Sequence, residues 1–278
     1  MLYVPGNRSE WVRKAAKYGA DAVVIDFEDS VPDEEVPAAR EALAENAQAL
    51  RDAGQSIIVL RPNEVQRGGL LDVAAAAAAP AVDLLMVPKS TVDVIKVVDR
   101  TLDELGCELP LLPIIETPEA MVTAYELGRA SRRNIGFWAG SGARNGDPHR
   151  FLGFDWSVEG QETLFLRSKL LLDARANGFE HIIGGAWVDL DDKDGLCKHV
   201  ESYRVLGYTG YVAIHPGQVE PIHETLRPSE EEIAYAREAI ETMRRAEQQG
   251  QGAIRMGSDM IDYATVRMAE RVLALAER

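Results

Sequence analysis

A chain of 278 residues, of which 46% are hydrophobic, has enough material for one large α/β domain with a complete core. Its formal net charge of −15 argues against nucleic acid or an anionic membrane as the main partner, because both attract a basic surface. No apolar run reaches the ~20 residues that cross a bilayer, and the first residues lack a secretion signal, so we expect a cytoplasmic protein with no membrane partner.

Eight short β-rich runs recur along most of the chain and predict buried strands. Several of them, such as residues 56–60 and 84–87, are almost continuously apolar. Strands that are covered on both faces have this composition. In chain order, the predicted strands are Leu2–Val4, Ala22–Asp26, Ser56–Arg61, Asp83–Val87, Leu111–Ile115, Ile135–Ala139, His181–Ile183 and Tyr211–Ile214.

Longer helical patterns separate these strands. They are predicted at Arg8–Tyr18, Asp33–Asp52, Thr91–Leu105, Pro118–Ala130, Val158–Asn177 and Asp194–Leu206. Eight strand–helix alternations predict an α/β fold, a (β/α)8 TIM barrel, over residues 1–228. Two more helices, Ser229–Gln248 and Tyr263–Glu277, flank a glycine-containing hinge, so we predict a C-terminal helical extension over residues 229–278.

Ionisable residues recur just after the predicted strands, where the active-site mouth of such a barrel lies. Carboxylates that face guanidinium and ammonium groups suit a site for an oxyanion or a metal-bound enolate. The residues delivered to the mouth include Arg8, Glu28, Asp29, Arg61, Lys89, Glu116, Arg144, Asp147 and His215.

Each of these residues also has a simpler structural explanation. A glutamate that follows a strand is often only a favourable charge at the start of a helix. The acids of residues 26–29 resemble a solvated turn, and His215, before a proline, is typical of a structural hydrogen bond. The joint pattern, rather than any one residue, therefore indicates a functional site.

Seven or more motifs occur in order over nearly the whole chain and resemble those of one family. They include Leu2–Arg8, Asp21–Val31, Arg61–Asn63, Val87–Lys89, Ile115–Pro118, Leu206–Gly210, Ile214–Gln218 and Met260–Asp262. The chain resembles the citrate lyase β-subunit-like family (HpcH/HpaI aldolase/citrate lyase), which includes malyl-CoA and citramalyl-CoA lyases. This resemblance implies the same barrel, and a reaction that cleaves or forms a carbon–carbon bond beside a CoA thioester.

The resemblance also implies roles for particular residues. The glutamate that matches Glu116 binds Mg²⁺, and the arginine that matches Arg61 contacts the acid substrate or the developing oxyanion. The acids that match Glu28 and Asp29 hold metal-bound waters. The aspartate that matches Asp262 reaches a neighbouring subunit's site for proton transfer, which implies a homo-oligomer, a trimer or a hexamer.

The loop after the sixth strand departs from the family's pattern. The family has an aspartate as the second metal ligand where this chain has Ala143, which cannot bind a metal. Asp147 is one possible replacement ligand. Alternatively, Arg144 or His149 binds a substrate carboxylate directly and the metal is not used in the usual way. A third alternative is loss of lyase activity.

We therefore predict a carbon–carbon lyase that acts on a 3-hydroxy acid as its CoA thioester, with an atypical magnesium site. The alternatives are an aldolase that acts on a free hydroxy or keto acid without CoA, and a non-catalytic binding or regulatory homologue. The predicted catalytic residues are Arg61, Asp262, Glu28 and Asp29; the predicted binding residues are Arg8, Lys89, Arg144, His149 and His215; and the predicted metal ligands are Glu116 and Asp147.

Overall fold

The structure, a computed structural model, describes residues 1–140 and 146–276. The chain divides into two compact units, the first from Met1 to Ile222 and the second from His223 onward. This division lies upstream of residue 228, where the sequence places the end of the barrel. Among the helices of the described ranges, none combines the length and the hydropathy that a bilayer span needs.

Eight parallel strands form one sheet in the first unit, in sequential order from β1 to β8. A parallel bridge between Leu2 of the first strand and Ala213, just after the last, closes the sheet into a barrel. The predicted (β/α)8 barrel with a C-terminal helical extension is therefore confirmed. The strands are β1 Leu2–Pro5, β2 Ala22–Asp26, β3 Ile57–Arg61, β4 Leu84–Val87, β5 Leu111–Ile115, β6 Gly136–Ala139, β7 His181–Gly184 and β8 Gly210–Tyr211.

The last strand is shorter than the sequence predicts. Regular pairing with β7 covers only two residues, and beyond Tyr211 the chain keeps a single bridge to β1 at Ala213. A 3₁₀ turn at Pro216–Gln218 follows, because proline at its first position cannot donate to a sheet hydrogen bond.

Eleven α-helices of the described ranges begin in the first unit. Two of the predicted helices, Asp33–Asp52 and Pro118–Ala130, are each divided by a break, near Ala42 and at Thr123. The helices are α1 Ser9–Lys14, α2 Val36–Glu41, α3 Leu43–Asp52, α4 Gly69–Ala77, α5 Val92–Glu104, α6 Pro118–Val122, α7 Ala124–Gly128, α8 Asp147–Leu152, α9 Leu164–Ala176, α10 Lys193–Arg204 and α11 Val219–Leu226.

Apolar side chains from the strands fill the barrel. One face of each strand packs inside the barrel, and the other packs under the helices, so strands such as β2 and β5 are buried along their whole length. This explains the continuous apolar runs in the sequence. The inner cluster consists of Ala22, Val24, Val59, Leu84, Met86, Leu112, Ile114, Ile183 and Val212.

Two threonines start helices directly behind the barrel mouth. The side chain of Thr91 accepts a hydrogen bond from the backbone N–H of Val94 at the start of α5, and Thr117 accepts one from Ala120 at the start of α6. Side-chain caps of this kind satisfy backbone donors that a helix start leaves unpaired. Thr117 is adjacent to Glu116, so this cap helps to fix where β5 ends and where that carboxylate lies.

The second unit contains α12 (Glu230–Gln248) and α13 (Tyr263–Ala276), with a β-hairpin between them. Ser229 and Glu232 form a reciprocal capping box at the start of α12. The hairpin pairs β9 (Ala253–Met256) with antiparallel β10 (Asp259–Asp262). The two helices and the hairpin share a small core of Ala236, Ala239, Met243, Ala246, Ile261 and Ala269.

The β-hairpin corrects the sequence analysis, which placed only a glycine-containing hinge between these two helices. Two residues, Gly257 and Ser258, connect the strands, and Gly257 has a φ of 60°. A glycine at a positive φ is the usual chemistry of a two-residue hairpin turn. The hairpin was missed because its strands are four residues each and carry charged residues among the apolar ones.

Candidate active site

Arg61, the last residue of β3, is held by an aspartate on the neighbouring strand. Asp26 ends β2 and is the register partner of Arg61. Its Oδ1 lies 2.6 Å from Nε of Arg61, and its Oδ2 lies 2.8 Å from Nη2. Both side chains are almost fully buried. The sequence analysis gave no role to Asp26. Asp26 and Arg61 are each the last residue of a predicted strand, and this shared position is the signal that could have indicated their pairing.

Three further side chains surround the guanidinium group of Arg61. Its Nη1 lies 2.7 Å from Oε2 of buried Glu28 and 3.4 Å from Oδ2 of exposed Asp29. The ring of Tyr3 lies beneath it, with its centroid 4.9 Å from the guanidinium carbon. These partners around one buried cation fix its orientation at the barrel mouth.

Lys89 joins this group from the end of β4. It has a φ of 44°, a left-handed conformation that is rare for a residue with a side chain. Its backbone N–H donates to Oε1 of Glu116 at 2.7 Å. Its ammonium Nζ lies 3.4 Å from Glu116, 3.5 Å from Glu28 and 2.5 Å from Asp147. One lysine therefore connects carboxylates from three separate parts of the chain.

Burial has the largest influence on the pKa values of these carboxyl groups. It raises the pKa of Glu28 to about 8, although Arg61 opposes the shift. Burial likewise raises the pKa of Glu116 against the opposing ammonium of Lys89. Burial also disfavours ionised Asp26, but its ion pair with Arg61 outweighs this and lowers its pKa. The site thus combines one carboxyl group whose pKa is lowered, Asp26, with two whose pKa is raised, Glu28 and Glu116.

Asp147 lies at the start of α8 and is shared by two cations. Its Oδ2 contacts Lys89, and its Oδ1 lies 2.7 Å from Nη2 of Arg150. Burial alone would raise its pKa, but these two cations lower it. His149, on the same helix, stacks on Phe154 with ring centroids 5.3 Å apart. The sequence pattern gave no role to Arg150, because its contact depends on the turn of a short helix.

The remaining predicted site residues have other positions. Arg8 is exposed after β1. His215 is exposed, and its Nδ1 accepts a hydrogen bond from the backbone N–H of Gly217, which is the structural alternative considered above. Ala143 and Arg144 lie outside the described residues.

Asp262 lies in the second unit, at the end of β10. Its Oδ1 accepts hydrogen bonds from the backbone N–H groups of Ala264 and Thr265, both at 2.9 Å, and from the Thr265 hydroxyl at 3.2 Å. These bonds, that of the Thr265 backbone first, lower the pKa of Asp262. Its carboxylate therefore caps the start of α13, and its role in proton transfer stays a prediction.

The predicted metal ligands Glu116 and Asp147 do converge on one point, but that point is Nζ of Lys89. Within residues 1–140 and 146–276, no three His, Cys, Asp or Glu side chains are arranged to hold a metal ion. Magnesium requires oxygen ligands about 2.1 Å away, and an ammonium group between two carboxylates excludes that geometry. As arranged, the described side chains do not fit the implied Mg²⁺ site, and the ligand pair stays a prediction.

A cavity of about 100 Å³ lies beside the loop that follows β7. Its walls are mainly apolar, and two indole rings with centroids 5.5 Å apart, those of Trp156 and Trp187, contribute to them. Asp189 and Asp192 add acidic groups to the lining. The cavity therefore offers a different environment from the charged cluster around Arg61 and Lys89.

Comparison with known proteins identifies the family. Residues 1–216 match the family described as HpcH/HpaI aldolase/citrate lyase. The chain belongs to this family. The resemblance inferred from the strand-end motifs is confirmed, and the match covers all eight barrel strands.

Relatives in the HpcH/HpaI family match the chain over nearly its whole length. A citrate lyase subunit beta from Leuconostoc mesenteroides is 29% identical over 99% of this chain and 92% of its own. A (3S)-malyl-CoA thioesterase from Cereibacter sphaeroides is 32% identical over 100% of this chain and 94% of its own. Family membership therefore supports a lyase that acts on CoA-related acids, while the particular activity is a separate question.

A solved structure of the family has the same fold. The protein CitE from Mycobacterium tuberculosis, in complex with magnesium, acetoacetate and coenzyme A, superposes with a TM-score of 0.78 at 26% identity. The superposition covers 100% of this chain and 97% of that one. That relative thus binds the metal and the carrier that the resemblance implies.

Proposed function

We propose that this protein is a carbon–carbon lyase that cleaves a 3-hydroxyacyl-CoA ester with a carboxylate on C3 into a 2-oxo acid and a shorter acyl-CoA. One observation carries the proposal: Arg61 and Lys89 meet the buried carboxyl groups of Glu28 and Glu116 at the carboxyl ends of β2 to β5. Fixed cations suit a developing oxyanion, and a carboxyl group with a raised pKa suits proton transfer.

The reaction is a retro-aldol cleavage. A base takes the proton of the C3 hydroxyl group, and the electron pair of the O–H bond forms the carbonyl of the oxo acid. The bond between C2 and C3 breaks, and its electron pair becomes the enolate of the thioester. A proton added to C2 then gives the acyl-CoA. The protein must therefore provide a base, an acid and a positive charge near the enolate oxygen.

Two residues of the cluster suit these tasks. Arg61 stays charged at any physiological pH, and its orientation is fixed by Asp26, so it is proposed to stabilise the oxyanion. Glu28 has a pKa of about 8 and lies between the two cations, so it is proposed to exchange the proton. Exposed Asp29 is proposed to orient water or substrate at the rim.

Other predicted residues complete the proposal. Arg8, Arg144, His149 and His215 stay predicted substrate contacts around the mouth. Asp262 is proposed to serve a neighbouring copy of the chain, which requires a homo-oligomer, a trimer or a hexamer. The resemblance to the family supports the role of Asp262. The cytoplasmic compartment and CoA as the carrier also stay predictions, and the CoA complex of CitE supports the latter.

Product analysis tests the proposed reaction. The purified protein would be incubated with a panel of short 3-hydroxyacyl-CoA esters that carry a carboxylate on C3. Both products would be measured, the 2-oxo acid as its hydrazone and the acyl-CoA by chromatography. We expect equal amounts of both and no free thiol. An identically purified Arg61→Ala variant controls for contaminating enzymes. Absence of turnover on the whole panel, with and without Mg²⁺, would reject the proposal.

Thioester hydrolysis is the second candidate, because the relative with 32% identity is named a (3S)-malyl-CoA thioesterase. Hydrolysis would release free CoA thiol and an intact hydroxy acid, with no acyl-CoA. The same assay therefore separates the two reactions once a thiol reagent is added. An aldolase that acts without CoA is distinguished by competition: free CoA would inhibit a CoA-dependent lyase but not that aldolase.

A further inference from the structure

We propose that the ammonium group of Lys89 binds the carboxylate of the acid substrate directly, and that Asp147 is the internal carboxylate it holds until the substrate arrives. This inference rests on the proposed lyase function, because it assumes an acid as substrate or product. It assigns the site a built-in cation at the point where the resemblance implies a metal ion.

The backbone places the ammonium group in the mouth. Lys89 adopts its left-handed conformation directly after β4, and its N–H is tied to Glu116. A turned backbone directs the side chain toward the carboxylates instead of along the strand. Its side chain is 23% exposed, compared with 7% for Arg61, so of these two cations Lys89 is the more accessible to a ligand.

Asp147 has the position and the chemistry of a substrate carboxylate. It comes from α8, outside the strands, and its Oδ2 lies 2.5 Å from Nζ of Lys89. It also has a second cation, Arg150, at 2.7 Å, whose side chain is 65% exposed. An incoming carboxylate can therefore replace Asp147 on Lys89 without leaving Asp147 unpaired, because Arg150 keeps its charge compensated.

The same contacts make Asp147 a poor second metal ligand. Binding a divalent cation with Asp147 would require its close ion pair with Lys89 to break and the ammonium group to leave. The sequence has alanine at position 143, where the pattern of the family has an aspartate ligand. A lysine ammonium is a compact point charge with three donors, so it can neutralise an acid oxygen without any metal ligand.

The two roles of Asp147 predict opposite effects of one substitution. If Asp147 were a metal ligand, Asp147→Asn would weaken Mg²⁺ binding and acid binding together. If it is the internal competitor of the substrate, Asp147→Asn removes a negative charge from Lys89 and tightens acid binding. We expect the Kd for the acid to fall about twofold to fivefold, the size of one partly exposed charge–charge contact.

Calorimetric titration of pyruvate and oxaloacetate, in EDTA and then in Mg²⁺, measures this effect. In EDTA we expect the wild type to bind, Asp147→Asn to bind more tightly, and Lys89→Met to lose about tenfold or more in affinity. Lys96→Met is the matched control, since Lys96 is an exposed lysine on α5. Thermal unfolding checks each variant, and Asp147→Asn remains decisive if Lys89→Met does not fold.

The results distinguish this inference from the proposed function. The inference would be overturned if acid binding appears only with Mg²⁺, is lost in Asp147→Asn and is unchanged in Lys89→Met. This holds even if CoA esters are cleaved. Lys89-dependent binding in EDTA without cleavage of any ester supports the inference and rejects the lyase. No binding of either acid in either buffer overturns the inference as well.

Discussion

Arg61 shows how a single side chain depends on its neighbours in this site. Its charge is buried, and burial of an unpaired cation would cost several kcal/mol. The carboxylate of Asp26 pairs with Nε and Nη2 of Arg61 at 2.6 and 2.8 Å, and the carboxylate of Glu28 pairs with Nη1 at 2.7 Å. The pairing fixes the guanidinium plane, and any ligand that reaches the mouth meets a cation of defined orientation.

Replacing Arg61 tests this arrangement directly. Lysine keeps the charge but not the planar fork, so we expect Arg61→Lys to lower kcat/KM by about 100-fold and alanine by more. Because Asp26 and Glu28 would lose their partner, Arg61→Ala should also lower the free energy of unfolding by about 3 kcal/mol. Steady-state kinetics and urea unfolding measure both effects.

Arg132→Ala is the control for this series. Arg132 is 76% exposed and lies 3.5 Å from Glu108, which is equally exposed. Surface pairs of this kind contribute about 0–1 kcal/mol, so neither kinetics nor stability should change measurably. If Arg61→Ala behaves like this control, the buried pairing has no role.

Glu28 predicts a pH-dependent effect on stability. Its folded pKa of about 8 lies above the ordinary value of 4.5, so the folded state favours the protonated form. Its contribution is fully present below pH 4.5 and is lost as the pH rises through 8. Glutamine does not titrate, so the Glu28→Gln variant does not show this loss. We expect the difference in free energy of unfolding, variant minus wild type, to rise by about 1–3 kcal/mol between pH 5 and pH 9.

Urea unfolding across this pH range measures the difference. Glu104→Gln is the control, because Glu104 is an exposed glutamate at the end of α5. A flat difference between Glu28→Gln and wild type across the range would show that the folded pKa of Glu28 is not raised.

The cap at the start of α6 helps to hold a residue of the site in place. Thr117 caps α6 and directly follows Glu116, whose carboxyl group accepts a hydrogen bond from the backbone N–H of Lys89. We expect Thr117→Ala to cost about 1 kcal/mol of stability and to raise KM, because the end of β5 becomes less fixed. Thr117→Ser, which keeps the hydroxyl group, should restore both.

Thr101→Ala is the matched control for the cap. Thr101 lies in the last turn of α5, is partly exposed, and its hydroxyl donates to the carbonyl of Val97 within the same helix. Alanine is the better helix former there, so stability should stay constant or rise slightly. A loss equal to that of Thr117→Ala would mean that the cap has no special role.

At the scale of the whole molecule, the proposed role of Asp262 requires cooperation between chains. If Asp262 acts in a neighbouring copy's site, an Arg61→Ala chain and an Asp262→Asn chain can together form an intact site. Both variants should be inactive alone. Random co-assembly in equal amounts should restore about a quarter of wild-type activity, since half of the barrels and half of the extensions are intact.

Co-expression of the two differently tagged variants, followed by kinetics on the mixed oligomer, provides the measurement. Sedimentation velocity establishes the number of chains. Mixtures that remain as inactive as the separate variants would show that Asp262 does not complete the site of another copy. The N-cap of α13 would then be its whole role.

The sequence alone determined the barrel, because a strand buried on both faces is apolar along its length and this composition is local. It also determined the family, since motifs such as Val87–Lys89 and Ile115–Pro118 keep their order. The division of the helices near Ala42 and Thr123 and the hairpin at residues 253–262 came only from the structure, because neighbouring packing decides them.

The tertiary structure alone decided which charges meet. Asp26 and Arg61 are 35 residues apart, and Lys89 and Glu116 are 27 apart, so their contacts exist only because parallel strands end at one rim. The sequence named most of the cluster, since residue type and strand position are local. It could not show that Lys89 lies between Glu116 and Asp147, because that depends on the backbone turn at Lys89 and on the placement of α8.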